Sequence, residues 1–508
     1  MVFGVVLIIV LIGGRQRLLN DPGTFWHLKL GQEIRDTGVL PTSNTLTRAA
    51  DGDDWIDQSW AFDLALAVVV EKSGWSGALA ISALMLAAIY AGLARGLLRD
   101  GRSVFAAVSV SVLAAGIGSV HFLLRPHIFT FVFVVWTLRA CQLYHEGHSQ
   151  RIWALPIVMV AWANLHGGFL AGPLILGTAA LGHAVSGPWN VDRRRRLAGF
   201  GAILALAVLA PLVNPYGIHL YDHVLNLLIH LDITDLIDEY QPVAFGSPES
   251  RLLEFVLLVL VALPVFSRTR PTRYELAHLL VWLHLALGSI RHAPLFAFAM
   301  AGGLARLIDG LPEREAGDSA MTSRSESHRE AGAERDPGRR SVYPILASLL
   351  LLLAVSAGIP IGSHDPGRWP FSALPALASQ PVEAPLFHEQ DWGGLIALEC
   401  HPARLAFLDD RFELYGRRGI LEYVSALKGG PGWDAITAEH DFELVWLRPD
   451  RGLARRLSAE ESWQEVFRDK VSVLFRKVGS EEPDRFGIAE GEWPLQNRAG
   501  PTIPANDS

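Results

Sequence analysis

Chemically capable side chains stand at the ends of long apolar segments in this sequence. They are Asp21, Arg125, His127, His166, Asn214, Tyr216, Asp238, Glu239, Arg291 and His292. A positioned carboxylate can act as a general base towards a hydroxyl group. Arginine and histidine can neutralise charge that develops on a phosphate. Together these residue types suit a reaction that takes a proton from one substrate and stabilises a phosphate on another.

The segments that must position these residues are apolar runs of membrane length. Half of the 508 residues are hydrophobic, 19% are charged and the mean hydropathy is +0.26. A helix of about 20 apolar residues crosses a bilayer. We therefore predict an α-helical polytopic membrane protein. Its eleven or so spans are expected at residues 2–14, 76–98, 103–122, 126–144, 152–165, 167–186, 197–213, 252–268, 274–290, 292–308 and 342–361.

The charges of the loops predict the orientation of these spans. Short basic loops, such as the one carrying Arg193 to Arg196, fall between alternate spans. The positive-inside rule places such loops in the cytoplasm. An odd number of spans then puts the C-terminal region outside the cytoplasmic membrane. The candidate residues all fall on the outer side, where an active site at a membrane–water boundary would need them.

The parts between and after the spans form further units. We predict a multi-span domain at 1–308, a charged cytoplasmic linker at 309–341, a last span at 342–361, a small periplasmic α/β domain at 362–480 and a disordered tail at 481–508. A first outer loop, 15–75, should carry interfacial helices at 24–36 and 58–72. In the C-terminal domain we predict strands at 395–399, 404–410, 443–449 and 471–478, and helices at 417–428 and 432–439.

Several candidates also have a purely structural interpretation. Asp21, followed by a Pro-Gly pair, suits a turn that caps a helix beginning near Thr24. His166, followed by two glycines, suits a tight contact between helices. The run Asp409, Asp410 and Arg411 favours a structural ion pair within the C-terminal domain.

Composition and motifs exclude other classes of protein. The net charge is −8 and the basic residues form no stripe, so we expect no nucleic-acid partner. No HExxH, paired CxxC, P-loop or G-x-S-x-G motif occurs. The two cysteines, Cys141 and Cys400, predict neither a disulfide nor a metal site. Asp21, Asp238, Glu239 and nearby histidines could supply ligands to a divalent metal, but their spacing is not diagnostic, so the sequence leaves the cofactor open.

Residues 21–47, DPGTFWHLKLGQEIRDTGVLPTSNTLT, resemble the first outer loop of multi-span GT-C-class glycosyltransferases. Protein O-mannosyltransferases and bacterial lipid A aminoarabinose transferases belong to this class. The later segments NLHGGF, VNPYG, DEYQP and DWGGLIALECHPARLAFLDDRFELYG look like a poorly characterised bacterial branch with a C-terminal outer domain, and the layout agrees over about residues 1–480. This chain has Asp21-Pro where better-known members have an acidic pair.

The resemblance implies a polyprenyl-phosphate-linked sugar donor, with Asp21 as the general base. Arg125, Arg291 and His292 would bind the donor phosphate. The remaining candidates would contact substrate: His127, His166, Asn214, Tyr216, Asp238 and Glu239. The acceptor would be an envelope glycan, lipid or protein, and direct displacement would invert the anomeric centre. Two alternatives stay open, namely a transporter or flippase of a lipid-linked glycan and a catalytically inactive scaffold of the same fold.

Overall fold

The computed structural model describes residues 1–13, 15–229, 233–248, 250–312, 342–359 and 361–479. The predicted tail and the predicted linker from residue 313 onwards lie outside these ranges. Most described residues are helical, as the apolar runs predict. The α-helices are α1 (Val2–Ile8), α2 (Arg15–Leu18), α3 (Gly23–Thr37), α4 (Trp60–Arg99), α5 (Val104–Gly118), α6 (His127–Glu146), α7 (Leu155–Leu165), α8 (Ala171–Val185), α9 (Val191–Leu209), α10 (His219–Ile229), α11 (Arg251–Phe266), α12 (Arg273–Gly288), α13 (Ala293–Asp309), α14 (Tyr343–Ser356), α15 (Leu374–Ala378), α16 (Gly393–Cys400), α17 (Gly416–Leu427), α18 (Pro431–His440) and α19 (Gly452–Leu457).

Apolar helices stand where the sequence predicts spans. Within the described ranges, five helices are long and apolar enough to cross a membrane. They are α4 and α6 by themselves, and α5, α8 and α9 together with their adjoining 3-10 turns. The helices at the N-terminus, at α7 and at α14 are apolar but shorter. Helices α11, α12 and α13, of 16 to 17 residues, occupy three further predicted spans. Eleven crossings therefore remain a prediction.

The first predicted outer loop holds two closely packed helices. Helix α3 confirms the helix predicted at 24–36. The helix predicted at 58–72 is the beginning of α4, which continues into an apolar span after a kink at Gly74, where φ is 62°. At Gly31 an added Cβ would lie 1.9 Å from the carbonyl oxygen of Asp63. Only glycine lets the two backbones approach so closely, and this contact fixes α3 against α4.

The C-terminal domain contains a four-stranded mixed sheet. Its strands are β1 (Leu386–His388), β2 (Leu444–Leu447), β3 (Trp463–Arg468) and β4 (Val473–Lys477), in the order β1-β2-β4-β3. Strand β1 pairs with β2 in parallel, and β4 is antiparallel to both β2 and β3.

Two of the four strand predictions in this domain are wrong. Residues 395–399 lie in helix α16, and 404–410 form an extended loop with one isolated bridge at Ala406. A short apolar run does not distinguish a buried helix from a strand by periodicity alone, because both are apolar throughout. Strands β2 and β4 and helices α17 and α18 confirm the other predictions.

The C-terminal domain packs directly on the first loop. At Gly394 in α16, an added Cβ would lie 2.6 Å from the carbonyl oxygen of Pro22. The extended loop after α16 exchanges backbone hydrogen bonds with the first loop: Ala406 donates to Leu46 and Arg48 donates to Ala406, at 3.2 and 2.8 Å. These contacts carry Asp410, four residues further on, to the beginning of α3.

Candidate functional site

Arg125 joins carboxylates from three separate parts of the chain. Its Nε lies 2.6 Å from Asp21 Oδ2, a second guanidinium nitrogen contacts Asp410, and the third lies 3.8 Å from Glu239 Oε1. The Arg125 side chain is 24% exposed, whereas those of Asp21 and Asp410 are 3% and 11% exposed. The guanidinium group has a rigid planar fork, so it can hold several carboxylates at once. We call Asp21, Arg125, Glu239 and Asp410 the carboxylate–arginine cluster.

Asp21 also organises the first turn of α3. Its Oδ2 accepts hydrogen bonds from the backbone N–H and the hydroxyl of Thr24, at 3.0 and 3.1 Å. The Thr24 hydroxyl also donates to the carbonyl of Leu124, next to Arg125. The capping interpretation of Asp21 is therefore correct, and the same contacts hold the carboxylate against Arg125. All contacts described for Asp21 use Oδ2.

Asp410 belongs to the cluster, contrary to its interpretation as part of a local ion pair. Trp26 Nε1 donates to its Oδ1 at 2.7 Å, while Oδ2 contacts Arg125. At Gly23 an added Cβ would meet Arg125 at 2.8 Å and Asp410 at 3.0 Å. Burial raises the pKa of Asp410 to about 7; Arg125 opposes the rise, and Asp21 adds to it. Asp410 therefore holds or releases a proton near neutral pH.

The structural ion pair in the Asp-Asp-Arg run is made by the other two residues. Asp409 Oδ2 lies 2.7 and 2.9 Å from two nitrogens of Arg411, and both side chains are fully buried. Arg411 also donates to Asn44 at 2.8 Å and lies over the ring of Trp55. This pair fixes residues 409–411 to the first loop, and so it positions Asp410.

A second basic group stands beside the cluster. Arg291 hydrogen-bonds to the hydroxyl of Tyr240 and lies 4.8 Å from the centre of its ring. Burial raises the pKa of Glu239, but Arg125 and Arg291 outweigh it and hold this pKa at about 2. Glu239 is therefore ionised and attracts both arginines towards its own turn, Asp238–Tyr240. The predicted phosphate-binding arginines thus lie at one place.

Two of the predicted histidines lie next to this group. The rings of His127 and His166 are 6.5 Å apart, and His127 hydrogen-bonds to the backbone carbonyl of His121. His166 Nδ1 lies 2.8 Å from the hydroxyl of Thr130 and accepts from the backbone N–H of Gly168 at 3.0 Å. Burial lowers the pKa of His166 well below its usual value, and Arg291 and His127 lower it further. We expect a neutral imidazole there.

The remaining predicted residues are not joined to the cluster by contacts in the described structure. Asn214 holds its own turn, with its amide donating to Pro211 and its oxygen accepting from the Tyr216 N–H at 2.7 Å. The Tyr216 hydroxyl donates to the carbonyl of Pro41. Asp238 shares a short 3-10 turn with Glu239. The backbone N–H of His292 donates to Ser289 within its own turn.

Sequence reasoning missed Asp410, Trp26 and Tyr240 as members of the site. Trp26 stands five residues after Asp21 and Tyr240 directly follows Glu239, so proximity to a candidate was the available signal. For Asp410 the only signal was its acidic neighbour. Across the described residues, no three His, Cys, Asp or Glu side chains lie close enough together to hold a metal ion.

The raised pKa of Asp410 predicts a pH-dependent stability. The folded state binds this proton more tightly than the unfolded chain, so the stabilisation is fully present below pH 3.8 and is lost as pH rises through about 7. The thermal midpoint of the wild type should fall by a few degrees between about pH 5 and pH 8 relative to Asp410→Asn. The control variant Asp51→Asn changes an exposed residue of the first loop, and its thermal midpoint should change with pH as that of the wild type does. If the thermal midpoints of wild type and Asp410→Asn changed equally with pH, the raised pKa of Asp410 would be contradicted.

Comparisons with known proteins identify the fold. No protein-family model matches the sequence, and no curated protein matches it either. Among solved structures, the chain is similar to the arabinofuranosyltransferase AftD from mycobacteria, with a TM-score of 0.52 and 16% identity over 94% of this chain and 41% of that one. An oligosaccharyltransferase from Archaeoglobus fulgidus has a TM-score of 0.46 and 13% identity, over 87% of this chain and 68% of that one.

At these identities the similarity establishes the fold and nothing more specific. The chain has the fold of the GT-C glycosyltransferases, which confirms the resemblance at the level of architecture. It spans less than half the length of the arabinofuranosyltransferase. Activity, donor and acceptor therefore depend on the chemistry of the site.

Proposed function

We propose that this protein is a multi-pass membrane glycosyltransferase. It transfers a sugar from a polyprenyl-phosphate-linked donor to an envelope glycan, lipid or protein at the outer face of the cytoplasmic membrane. The observation that carries the proposal is the meeting of Asp21, Arg125 and Asp410 beside the ends of apolar helices. The shared fold supports glycosyl transfer as the reaction class.

The charge of the arginines suits a phosphate leaving group. In the transfer, the acceptor oxygen forms a bond to the anomeric carbon as the bond from that carbon to the phosphate oxygen breaks. The lipid phosphate leaves with the electron pair and gains negative charge. In this proposal Arg125 and Arg291 would lie beside the leaving phosphate. Fixed cations stabilise such a transition state more than the ground state.

The proton of the acceptor hydroxyl goes to Asp21 in this proposal. Oδ2 is held by Thr24 and Arg125, which leaves Oδ1 as the atom to receive the proton. A carboxylate fixed in this way cannot turn away from the acceptor. Asp410 shares Arg125, and its raised pKa lets it carry a proton when Asp21 is ionised. His166, as a neutral imidazole nearby, would hydrogen-bond to substrate hydroxyls.

The proposed position of the active site outside the cytoplasmic membrane depends on arginines in the loops at the other end of the helices. Arg193 to Arg196 begin α9, and Arg273 begins α12, at the ends of the helices away from the carboxylate–arginine cluster. The positive-inside rule assigns that end to the cytoplasm. A polyprenyl tail would then lie among the spans, with its phosphate at Arg125 and Arg291.

Mass spectrometry of the cell envelope with and without the gene tests the proposed function. Loss of the gene should lead to accumulation of a lipid-linked sugar outside the cytoplasmic membrane and to a glycan, lipid or protein that lacks that sugar. A wild-type copy should restore both. A donor that accumulates only on the cytoplasmic face would favour a flippase instead, and an unchanged envelope would favour an inactive scaffold.

A further inference from the structure

The carboxylate of Glu239 lies close to both arginines of the candidate site without a hydrogen bond to either. Its Oε1 is 3.8 Å from a guanidinium nitrogen of Arg125, a distance too long for a hydrogen bond. In the described part of the chain its two oxygens accept no hydrogen bond, and its side chain is 38% exposed. Asp21 and Asp410, in contrast, contact Arg125 directly and are nearly buried. Charge alone therefore holds the Glu239 side chain, and water can reach it.

The backbone around Glu239 is fixed, in contrast to its side chain. The hydroxyl of Ser289 donates to the carbonyl of Glu239 at 2.9 Å, and the N–H of Ile290 donates to the carbonyl of Gln241 at 3.0 Å. Both donors lie directly after α12 and directly before Arg291. The turn that carries Glu239 therefore stays beside Arg291, whatever direction the Glu239 side chain takes.

Arg291 has no carboxylate in direct contact among the described residues. Its guanidinium group donates to the hydroxyl of Tyr240 and lies over that ring, and no carboxylate oxygen lies within 4.0 Å of it. A phenol is neutral and leaves the charge of the guanidinium group uncompensated. The neighbouring imidazole of His166 adds no charge, because burial and Arg291 lower its pKa. Arg291 is therefore suited to bind an anion from outside the chain.

The charges of this group balance each other, and Glu239 supplies one of the negative charges. Arg125 and Arg291 are the positive groups. Asp21 is ionised when it acts as the proposed base, and Glu239 is ionised beside the arginines. Asp410 can hold a proton near neutral pH and then adds no charge. If the Glu239 side chain turned towards water, the arginines would have capacity for one further negative charge in its place.

We propose that Glu239 is a specificity-determining residue that restricts the site to donors with a single phosphate group. This inference rests on the proposed function. A monophosphate-linked sugar brings one negative charge, which replaces the Glu239 carboxylate beside Arg125 and Arg291. A diphosphate-linked sugar brings a second negative charge, for which the group has no free cation.

Repulsion by Glu239 makes the discrimination stronger than the balance of charges alone. Because its backbone is fixed beside Arg291, the displaced carboxylate stays within a side chain's reach of the phosphate site. Salt screens charges only in part at separations shorter than about 8 Å. A like charge placed against the unwanted ligand is a common source of specificity.

Binding of two probes to the full-length protein in detergent tests the proposal. Undecaprenyl phosphate and undecaprenyl diphosphate have the same chain and differ by one phosphate group. The wild type should bind the monophosphate about tenfold more tightly, since like charges brought together in a site are costly. In Glu239→Gln the affinity for the diphosphate should rise until the two probes bind about equally. Glu239→Asp keeps the negative charge and should keep the preference for the monophosphate.

Glu383→Gln is the matched control. It makes the same substitution at an exposed residue of the C-terminal domain, and its ratio of affinities should equal that of the wild type. A residue that served only as a counter-ion for the arginines would alter the thermal midpoint without altering this ratio. The ratio in the wild type tests the proposal even if Glu239→Gln does not fold.

The outcomes separate this inference from the proposed function. Equal affinities of the wild type for the two probes would overturn the role of Glu239 and leave a phosphate site in place. An unchanged ratio in folded Glu239→Gln would do the same. A wild type that bound neither probe would contradict both the role of Glu239 and the proposed lipid-phosphate donor.

Discussion

Asp21→Asn should reduce glycosyl transfer by about 10²–10⁴-fold, the range typical for removal of a general base. Asparagine has the same shape, and its side-chain oxygen can still accept the hydrogen bonds from Thr24 that order the start of α3. It cannot take up the proton of the acceptor hydroxyl, and it carries no charge to hold Arg125. The fold should therefore survive while the reaction fails.

The measurement uses membranes from deletion cells that express each variant, with the accumulated lipid-linked sugar of those cells as donor. Initial transfer rates are normalised to the amount of folded protein. Asp51→Asn is the matched control, since it makes the same substitution at an exposed position of the same loop. Full transfer by Asp21→Asn would remove Asp21 from its role. If Asp410→Asn alone then lost transfer, the base would be Asp410.

Arg125→Lys should reduce both transfer and stability. Each guanidinium nitrogen of Arg125 faces a different carboxylate. The single ammonium group of lysine cannot contact all three carboxylates in this way. Lysine keeps the positive charge but not the fixed geometry of the guanidinium group beside the leaving phosphate, so transfer should slow by about 10²–10³-fold. Breaking a buried ion pair costs about 3–5 kcal/mol, because the remaining charge is left uncompensated. We expect a lower thermal midpoint and a weaker contact between the C-terminal domain and α3.

Arg451→Lys is the control that separates the loss of stability from the loss of transfer. Arg451 holds the buried Glu389 through two contacts of 2.7 Å within the C-terminal domain, and it touches no member of the cluster. This variant should lose stability but keep transfer per folded molecule. Adding Asp410→Asn to Arg125→Lys should recover part of the lost stability, since one uncompensated carboxylate is removed. Transfer at the wild-type rate in folded Arg125→Lys would contradict the role of Arg125.

The sequence alone predicted the helices and much of the site, because both depend on local signals. Apolar runs of membrane length predict helices, since an isolated helix satisfies all its backbone hydrogen bonds inside a bilayer. A polar residue at the end of such a run is costly unless it is used, which drew attention to Asp21, Arg125 and Arg291. Their positions along the chain were enough to predict that they lie at the same end of the helices.

The pairing of charges was decided by the tertiary structure. Asp409 and Asp410 are adjacent and chemically identical, yet Asp409 pairs with Arg411 and Asp410 reaches Arg125, 285 residues away. The difference arises from the packing of α16 on α3 at Gly394 and from the bridge between Ala406 and the first loop. No local pattern encodes such contacts. Burial then sets the charge of each group, because the pKa of a carboxyl depends on the atoms that exclude water around it.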